Sequence, residues 1–389
     1  MIHLFLNGSG ASAGGGLTYL RSVIPQLSAR GDVRVTVAVG ESLRRSLGEV
    51  PRVSFLAIEN TANAAHRFWR EQTVLPRFIR QSGAEVLIST GNFALRNSPI
   101  PQILLSRNSL YMSNIFSRDL LARGDYWLWV DTRIKAFFAK HSIAWADRTI
   151  APSTAFAEDL RKWTGKEVIG LHHGFDRGKF FDSKSFLPAD LKAKLSPAQG
   201  TLRLLFVSHY NYYRNFETLL RSIPVLREAL AGQRIKLFLT CSFRSEENPG
   251  GYRGAKAGNL IRELGIQENV VELGTIPYHL LHHVYRACHL YVTPAYAESF
   301  AHPLIEAMAS GLPVIASDLQ VHREVCGRSA LYFSPFSPAD LAQKVLAVVQ
   351  DSDLGRELGS FGAGRSRDFS WPDHVEKLIT LAVDLRQQK

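Results

Sequence analysis

Two doubly wound α/β halves are predicted for this chain, and three observations predict them. Its 389 residues exceed what a single hydrophobic core usually fills. Short apolar runs alternate with longer helical patterns almost throughout, which is the signature of parallel strands wrapped by helices. That alternation breaks once, at DRGKFFDSKSFLPADLKAKLSPAQG (176–200), which is polar, carries Pro and Gly, and has no strand pattern. The break reads as a linker between domains.

The elements follow in chain order. The opening MIHLFLNGSG has no basic lead, and its apolar run is too short for a secretion signal, so it reads as a first strand. Further strands are expected at VRVTVAVG, VSFLAIEN, EVLIST, PQILLS, RTIAPS and EVIGLHH, with helices at 17–29, 64–81 and 154–163. These make a first domain over 1–178. After the linker a second series begins with LRLLFVSH and continues through RIKLFLTC, NVVELGTI, LYVTPAY, LPVIAS and ALYFSP, which makes a second domain over 195–370. Open parallel sheets bind ligands beyond the carboxyl ends of their strands. With two such domains, the site is expected in the cleft between them.

The composition narrows the function classes. Apolar residues make up 46% and charged residues 21%, which excludes a disordered chain. Three cysteines without a CxxC argue against a disulfide framework or a zinc site and fit a reducing, cytoplasmic setting. No run approaches the roughly 20 apolar residues of a membrane span. Of the net charge of +11, residues 1–180 carry +9 and the remainder +2. A basic first half attracts acidic partners such as phosphorylated substrates or anionic lipid.

The densest motif is ESFAHPLIE, Glu298–Glu306, followed by AMASGLPV. Pro303 suits the first position of a helix and Gly311 the position just past its end, so a helix is expected over about 303–310. Glu298 then lies before the helix and Glu306 in its first turn. Together they flank a helix start whose free N–H groups attract an anion, while the carboxylates suit sugar hydroxyls. The plain alternative is a dipole-satisfying Glu306 beside a solvated Glu298.

The stretch Glu298-Ser299-Phe300-Ala301-His302-Pro303-Leu304-Ile305-Glu306-Ala307-Met308-Ala309-Ser310-Gly311-Leu312-Pro313-Val314 resembles the retaining glycosyltransferases of the GT-B fold, in particular glycosyltransferase family 4. That family carries Glu, seven residues, Glu, usually with Gly-Phe-Gly-x-Pro after the first Glu. Here Ser299 and Ala301 replace the glycines. The resemblance implies two Rossmann-like domains facing across a cleft. It implies that Glu306 holds the nucleotide ribose and that Glu298 contacts the donor sugar. Backbone amides from Phe300 through Ala301, His302 and Pro303 to Leu304 are implied on sugar and phosphate oxygens. It also implies that the terminal segment 371–389, opening in FSWPDHVEKLI, crosses back to the first domain.

Other landmarks fit the same resemblance. In NGSGASAGGGLTYL the glycines permit a tight turn and a helix start that can cradle phosphate. The family places Gly-Gly there against the donor phosphates, a role carried to Gly15 and Gly16. In VSHYNYYRNFETLL, Arg214 stands where the family has a Lys and can supply a forked cation for phosphate. His209 stands where the family has an Arg, and a neutral imidazole there contributes less charge. Where many members have a His near the reacting sugar, this chain reads Ser106-Arg107-Asn108. Arg107 and Asn108 are therefore candidates for acceptor or phosphate contact. Ser153 is a helix cap or a ligand contact, and Gly174 and Asp176 are expected to shape the crossover between domains.

Two further stretches are weighed against plain readings. Residues 107–145 interleave aromatics with Arg118, Arg123, Arg133, Lys135 and Lys140. This suits either a helix pair with an aromatic core or a basic face resting on an anionic membrane. His279 and His283 in HLLHHVYRACH stand four apart, but the Glu of the zinc-peptidase pattern is missing, so a half-buried helix is expected there rather than a metal site.

The expected function is transfer, with retention, of a sugar from a nucleotide-diphosphate donor to an acceptor hydroxyl of a saccharide or lipid-linked glycan. Glu298, Arg214 and His209 are the candidate catalytic residues. No metal or other cofactor is expected, since Arg214 and helix-end amides can stabilise the leaving diphosphate. The expected setting is cytoplasmic, with peripheral attachment to the inner membrane face left open. Rival readings are a sugar-nucleotide epimerase of the same fold, a glycosidase using Glu298 and Glu306, and a nucleic-acid-binding protein. The last lacks any recognised module.

Overall fold

A computed structural model of the chain describes residues 1–11, 14–58, 64–244 and 252–388. The chain divides into two compact units, one of residues 1–174 with 370–389 and one of residues 175–369.

The first unit holds strands β1 (Ile2–Asn7), β2 (Val33–Gly40), β3 (Val53–Ile58), β4 (Val86–Ser89), β5 (Gln102–Leu105), β6 (Arg148–Ala151) and β7 (Ile169–Gly170). Among the described residues they form one parallel sheet in the order β3-β2-β1-β4-β5-β6-β7. The helices between them are α1 (Gly14–Ser28), α2 (Glu41–Leu47), α3 (Ala64–Thr73), α4 (Leu75–Ser82), α5 (Asn114–Ala122), α6 (Tyr126–Trp145) and α7 (Thr154–Thr164). Helices cover both faces of this sheet, so its strands read as continuous apolar runs. Leu4, Leu6, Val35 and Val37 are fully buried against Leu20, Val23, Ile24 and Leu27 of α1, whose spacing is that of one helical face.

The expected strands of this half all form. Two helices differ from expectation. The glycines at 14–16 do not make a loop before a helix at 17, because α1 already starts at Gly14. The pattern at 64–81 is two helices: the chain breaks at Val74, and Pro76 opens α4, since proline removes a helical donor and crowds the preceding turn.

The terminal helix α17 (Trp371–Gln387) belongs to this unit. Ser370 caps it by accepting from the Asp373 N–H at 3.2 Å. Val375, Leu378, Ile379, Ala382 and Leu385 enter the same core as β1 and α1. His374 sits in that core between two partners: Tyr19 Oη at 3.0 Å from Nε2 and the His172 carbonyl at 2.8 Å from Nδ1. The carbonyl can only accept, so Nδ1 carries the proton and Nε2 accepts from Tyr19. Burial holds the ring neutral, with its pKa lowered to about 4.

The second unit holds strands β8 (Leu202–Phe206), β9 (Ile235–Leu239), β10 (Val270–Glu272), β11 (Leu290–Thr293), β12 (Val314–Ser317) and β13 (Ala330–Phe333). Among the described residues they form a parallel sheet in the order β10-β9-β8-β11-β12-β13. Its helices are α8 (Arg177–Phe180), α9 (Ala189–Lys194), α10 (Phe216–Ala229), α11 (Ala255–Glu263), α12 (Leu281–Arg286), α13 (His302–Ala309), α14 (Gln320–Cys326), α15 (Pro338–Gln350) and α16 (Ser352–Arg365). The segment read as a strandless linker thus carries two short helices, α8 and α9, and clusters with this unit. Phe180 of α8 is fully buried against Tyr278, Tyr285 and Phe175, and Asp176 caps α8 by accepting from the Lys179 N–H at 3.0 Å. A polar composition concealed those apolar anchors.

In both sheets the strand order reverses direction at one place: between β1 and β4 in the first, and between β8 and β11 in the second. Loops leaving adjacent strands diverge there and open a crevice at the carboxyl ends.

Candidate functional site

In the second unit this reversal explains how residues 84 apart in sequence meet. Arg214 lies on the loop after β8, and Glu298 on the loop after the neighbouring β11. Their side chains form a largely buried ion pair, from Arg214 Nη1 to Glu298 Oε2. Arg214 stands in a short 3-10 turn that ends at Asn215, a left-handed residue with φ of 54°. The Asn215 side chain fixes that turn to the β11 loop by donating to the Pro294 carbonyl at 3.1 Å. The guanidinium lies over the Tyr213 ring at 4.9 Å. Burial works to lower the Arg214 pKa, but the Glu298 carboxylate together with the Tyr213 and Tyr291 oxygens outweighs it and holds the guanidinium above its ordinary value. Arg214 Nε is buried and makes no hydrogen bond among the described residues.

His209 lies on the same loop with an exposed side chain. Partial desolvation by the surrounding loop, and then the Arg214 charge, lower its pKa. It is therefore neutral at pH 7 and does not restore the second cation of the family pattern.

The loop after β11 runs into α13. The helix starts at His302 with Pro303 in its first turn, and it stops at Gly311, where φ is +75°. It begins one residue earlier than expected, so Glu306 is the fifth helical residue and lies beyond the first turn. Glu306 is buried and accepts from Tyr285 Oη of α12 at 2.9 Å. Burial raises its pKa to about 7, and the Tyr285 hydrogen bond opposes that rise. Glu298 Oε1 accepts from the Ser299 N–H at 3.2 Å. Ala301 adopts φ 66° and ψ 63°, a left-handed conformation that costs an L-residue roughly 1–2 kcal/mol. This is the physical reason for the glycine that the family pattern has at this position. Phe300 is buried against Phe369, with ring centroids 5.7 Å apart. The set of ligand-facing amides expected from Phe300 to Leu304 narrows: Pro303 has none, and the Leu304 N–H donates to the Ala301 carbonyl at 3.0 Å.

Three residues here escaped the sequence reading. Tyr285 positions Glu306, and Asn215 locks the Arg214 turn. His322 is fully buried on α14, with Nδ1 2.8 Å from the Ser317 carbonyl, and both Glu298 and Arg214 act on its charge. Only Asn215 left a signal, since Asn is the residue type that tolerates a left-handed turn.

In the first unit, Gly15 and Gly16 lie in the first turn of α1. Residues 12 and 13 of the glycine-rich stretch lie outside the described residues. The Arg107 guanidinium rests against Gly16 so closely that any Cβ there would collide with it. Arg107 follows β5, and its backbone N–H donates to Asn92 Oδ1 at 2.8 Å. Its Nη1 is buried and has no hydrogen-bond partner among the described residues. Burial lowers its pKa to about 10, with the Tyr19 and Tyr111 hydroxyls opposing. A buried cation thus lies against the positive end of a 15-residue helix. Asn108 acts locally: its Oδ1 accepts from the Leu110 N–H at 3.0 Å and caps the 3-10 turn Ser109–Tyr111. Ser153 likewise caps α7, accepting from the Phe156 N–H at 3.2 Å. The loop after β1 adds Ser9, which donates to Glu71 of α3.

Elsewhere, His283 Nε2 lies 3.1 Å from Ser185 Oγ, and His279 belongs to a separate 3-10 turn. Among the described residues, no three His, Cys, Asp or Glu side chains stand close enough to hold a metal ion.

Residues 189–365 match the family described as glycosyl transferases group 1. A D-inositol 3-phosphate glycosyltransferase of Nocardia farcinica is 30% identical over 251 residues, which cover 62% of this chain and 53% of that protein. The chain thus spans about half the length of that curated relative. The sucrose-phosphate synthase of Thermosynechococcus elongatus superposes with a TM-score of 0.79 at 19% identity, covering all of both chains. Anabaena HepE, solved with UDP-glucose, superposes with a TM-score of 0.71 at 14% identity, covering 99% of this chain and 100% of that one. These likenesses show the fold, and the GT-B expectation is met. Over residues 189–365, a little under half of its length, this chain is similar to the glycosyl transferases group 1.

Proposed function

We propose that the protein is a retaining glycosyltransferase that moves a sugar from a nucleotide-diphosphate donor to an acceptor hydroxyl. The acceptor belongs to polysaccharide, lipopolysaccharide or glycolipid assembly. The observation that carries this reading is the Arg214–Glu298 pair at the strand reversal of the second unit, beside the start of α13 and the buried Glu306. A forked cation suits a diphosphate. A buried carboxylate aligned by a tyrosine suits the two hydroxyls of a ribose. The family match, and the UDP-glucose named in the HepE structure, support a nucleotide-sugar donor.

In this reading Arg214 takes up charge on the leaving diphosphate together with the amides at the start of α13. Glu298 turns from its ion pair toward the donor sugar. Arg214 and those amides do the work that a divalent cation does in other transferases, so transfer is metal-independent. The first turn of α1, with Gly15, Gly16 and Arg107, holds an anionic group of either substrate. The acceptor hydroxyl attacks the anomeric carbon from the face that the diphosphate leaves and gives its proton to a leaving phosphate oxygen, so no protein nucleophile is needed.

The test is incubation of the full chain with UDP-, GDP- and ADP-sugars and saccharide acceptors in EDTA, with the product read by NMR. The expected product keeps the anomeric configuration of the donor. An inverted linkage, or a strict requirement for divalent metal, contradicts the proposal.

A further inference from the structure

The pair α5–α6 of the first unit is built inside out. In YWLWVDTRIKAFFAKHSIAW the buried positions include Ala136, Ala139, Ser142 and Ile143, mostly small residues. The large ones face solvent: Trp127 is 83% exposed, Phe137 58% and Ile134 53%, and Val130 is exposed with them. Positions 127, 130, 134 and 137 advance by three and four residues, so they form one stripe along the helix. The stripe from 127 to 137 is about 15 Å long. Tyr126 stands beside it, 66% exposed, and α5 adds exposed Ile115 and Leu121. A helix pair with an aromatic core is therefore half of the outcome: the pair forms, but most of its large side chains are outside the core. A contiguous apolar face of this size on a folded unit marks an interaction surface.

Charge selects the occupant. Arg118, Arg133 and Lys140 belong to the same two helices, and Arg133 and Lys140 flank Phe137 at four and three residues, so they border the stripe along one edge. The acids of the two helices are neutralised locally: Asp119 by Arg123 at 2.7 Å, and Asp131 by Lys135 at 2.6 Å. What remains is a stripe of Trp, Tyr, Ile and Phe edged with cations. This is the pattern of a helix lying in the plane of an anionic lipid surface, with its aromatic rings at headgroup depth. No described helix is long and apolar enough to cross a membrane, so the contact is in-plane. We propose that the α5–α6 face docks the protein on an anionic lipid membrane, through insertion of Trp127, Ile134 and Phe137 and attraction of Arg118, Arg133 and Lys140 to the headgroups. This assignment stands apart from the donor-site reading, and either can fail without the other.

The test is flotation of the full chain with vesicles of equimolar phosphatidylglycerol and phosphatidylcholine, against phosphatidylcholine alone. Binding is expected to the anionic vesicles, weakening in high salt. Arg133→Gln and Lys140→Gln should each weaken it about fivefold. Trp127→Ser combined with Phe137→Ser should weaken it more than about tenfold with an unchanged melting temperature, since both side chains are exposed. Trp127→Phe should keep the binding but lose much of the blue shift in tryptophan emission that vesicles produce. No binding to anionic vesicles, or undiminished binding by the double variant Trp127→Ser with Phe137→Ser, overturns the proposal. So does a stable dimer in sedimentation that this double variant dissolves, because the stripe then belongs to a second copy of the chain.

Discussion

The crevices at the two strand reversals are made of the same parts and left in opposite electrostatic states. In the second unit the cation and a carboxylate satisfy each other: Arg214 is held by Glu298, and Glu306 is held by Tyr285. In the first unit the buried guanidinium of Arg107 lies on the first turn of α1, and its Nη1 has no hydrogen-bond partner among the described residues. The difference teaches that a parallel-sheet crevice can be prepared for an anion in two ways. A ligand entering the second unit competes for Arg214 with a resident carboxylate, which favours a strongly charged and well-shaped group. A ligand entering the first unit meets a buried guanidinium whose Nη1 makes no hydrogen bond among the described residues, so even a small anion is stabilising there.

The largest expected effects break the satisfied pair. Glu298→Ala leaves Arg214 buried without its carboxylate, and this should cost about 3–5 kcal/mol of stability. Replacing both partners at once, Arg214→Met with Glu298→Leu, should recover most of that loss in denaturant unfolding. Transfer should stay lower by about a thousandfold, because the oxygens of the leaving diphosphate have lost their cation. If the double variant retains transfer, the pair is structural only.

Glu306 sharpens the comparison through pH. Its pKa is about 7 in the folded chain against an ordinary 4.5. The folded state therefore binds this proton more tightly than the unfolded one. The associated stability is complete below about pH 4.5 and declines as pH rises through 7, by about 3 kcal/mol in all. Glu306→Gln should therefore gain stability at pH 8 and little at pH 4. It should also weaken nucleotide binding, since a ribose hydroxyl loses its carboxylate. In the native chain, nucleotide affinity should fall by up to about tenfold per pH unit below 7, as titration calorimetry would record. A flat profile contradicts the assignment of Glu306 to the ribose.

Arg107 gives the opposite response. Arg107→Met should raise the stability of the ligand-free protein by about 1 kcal/mol, since a buried cation with no ion pair among the described residues is removed. It should also abolish the rise in melting temperature that inorganic phosphate gives the native chain. A lost phosphate response with an unchanged Kd for free UDP assigns this anion site to the acceptor, and a weakened Kd assigns it to the donor. The smallest effect is expected at Ala301. Ala301→Gly relieves a left-handed alanine and should stabilise the second unit by about 0.5–1 kcal/mol in thermal unfolding.

The sheets were legible in the sequence because buried parallel strands are short apolar runs bounded by turn residues, and each expected strand forms. The segment 176–200 was not, because its helices α8 and α9 are short and mostly polar and are held by single anchors such as Phe180. At the site, Glu298 and Glu306 were readable from their spacing around a helix start, and Arg214 from its place in the family pattern. Their mutual arrangement was not, since it depends on which strands are neighbours, and β8 and β11 meet only through the reversal of strand order. Tyr285 and His322 left no mark, as a buried tyrosine or histidine within an apolar helix pattern is indistinguishable from core. The strain at Ala301 is visible only as a backbone angle, although the glycine common in the family pattern hinted at it.

The central claim is that the crevice between β8 and β11 holds a nucleotide sugar through Arg214, Glu298 and Glu306. Its most direct test is thermal unfolding of the native chain and of Glu306→Gln against a panel of UDP-, GDP- and ADP-sugars. The account predicts that at least one donor raises the melting temperature of the native chain, with a shift that grows with donor concentration, and that the folded variant loses most of that shift. An unmoved melting temperature across the whole panel, or equal shifts in both proteins, would contradict it.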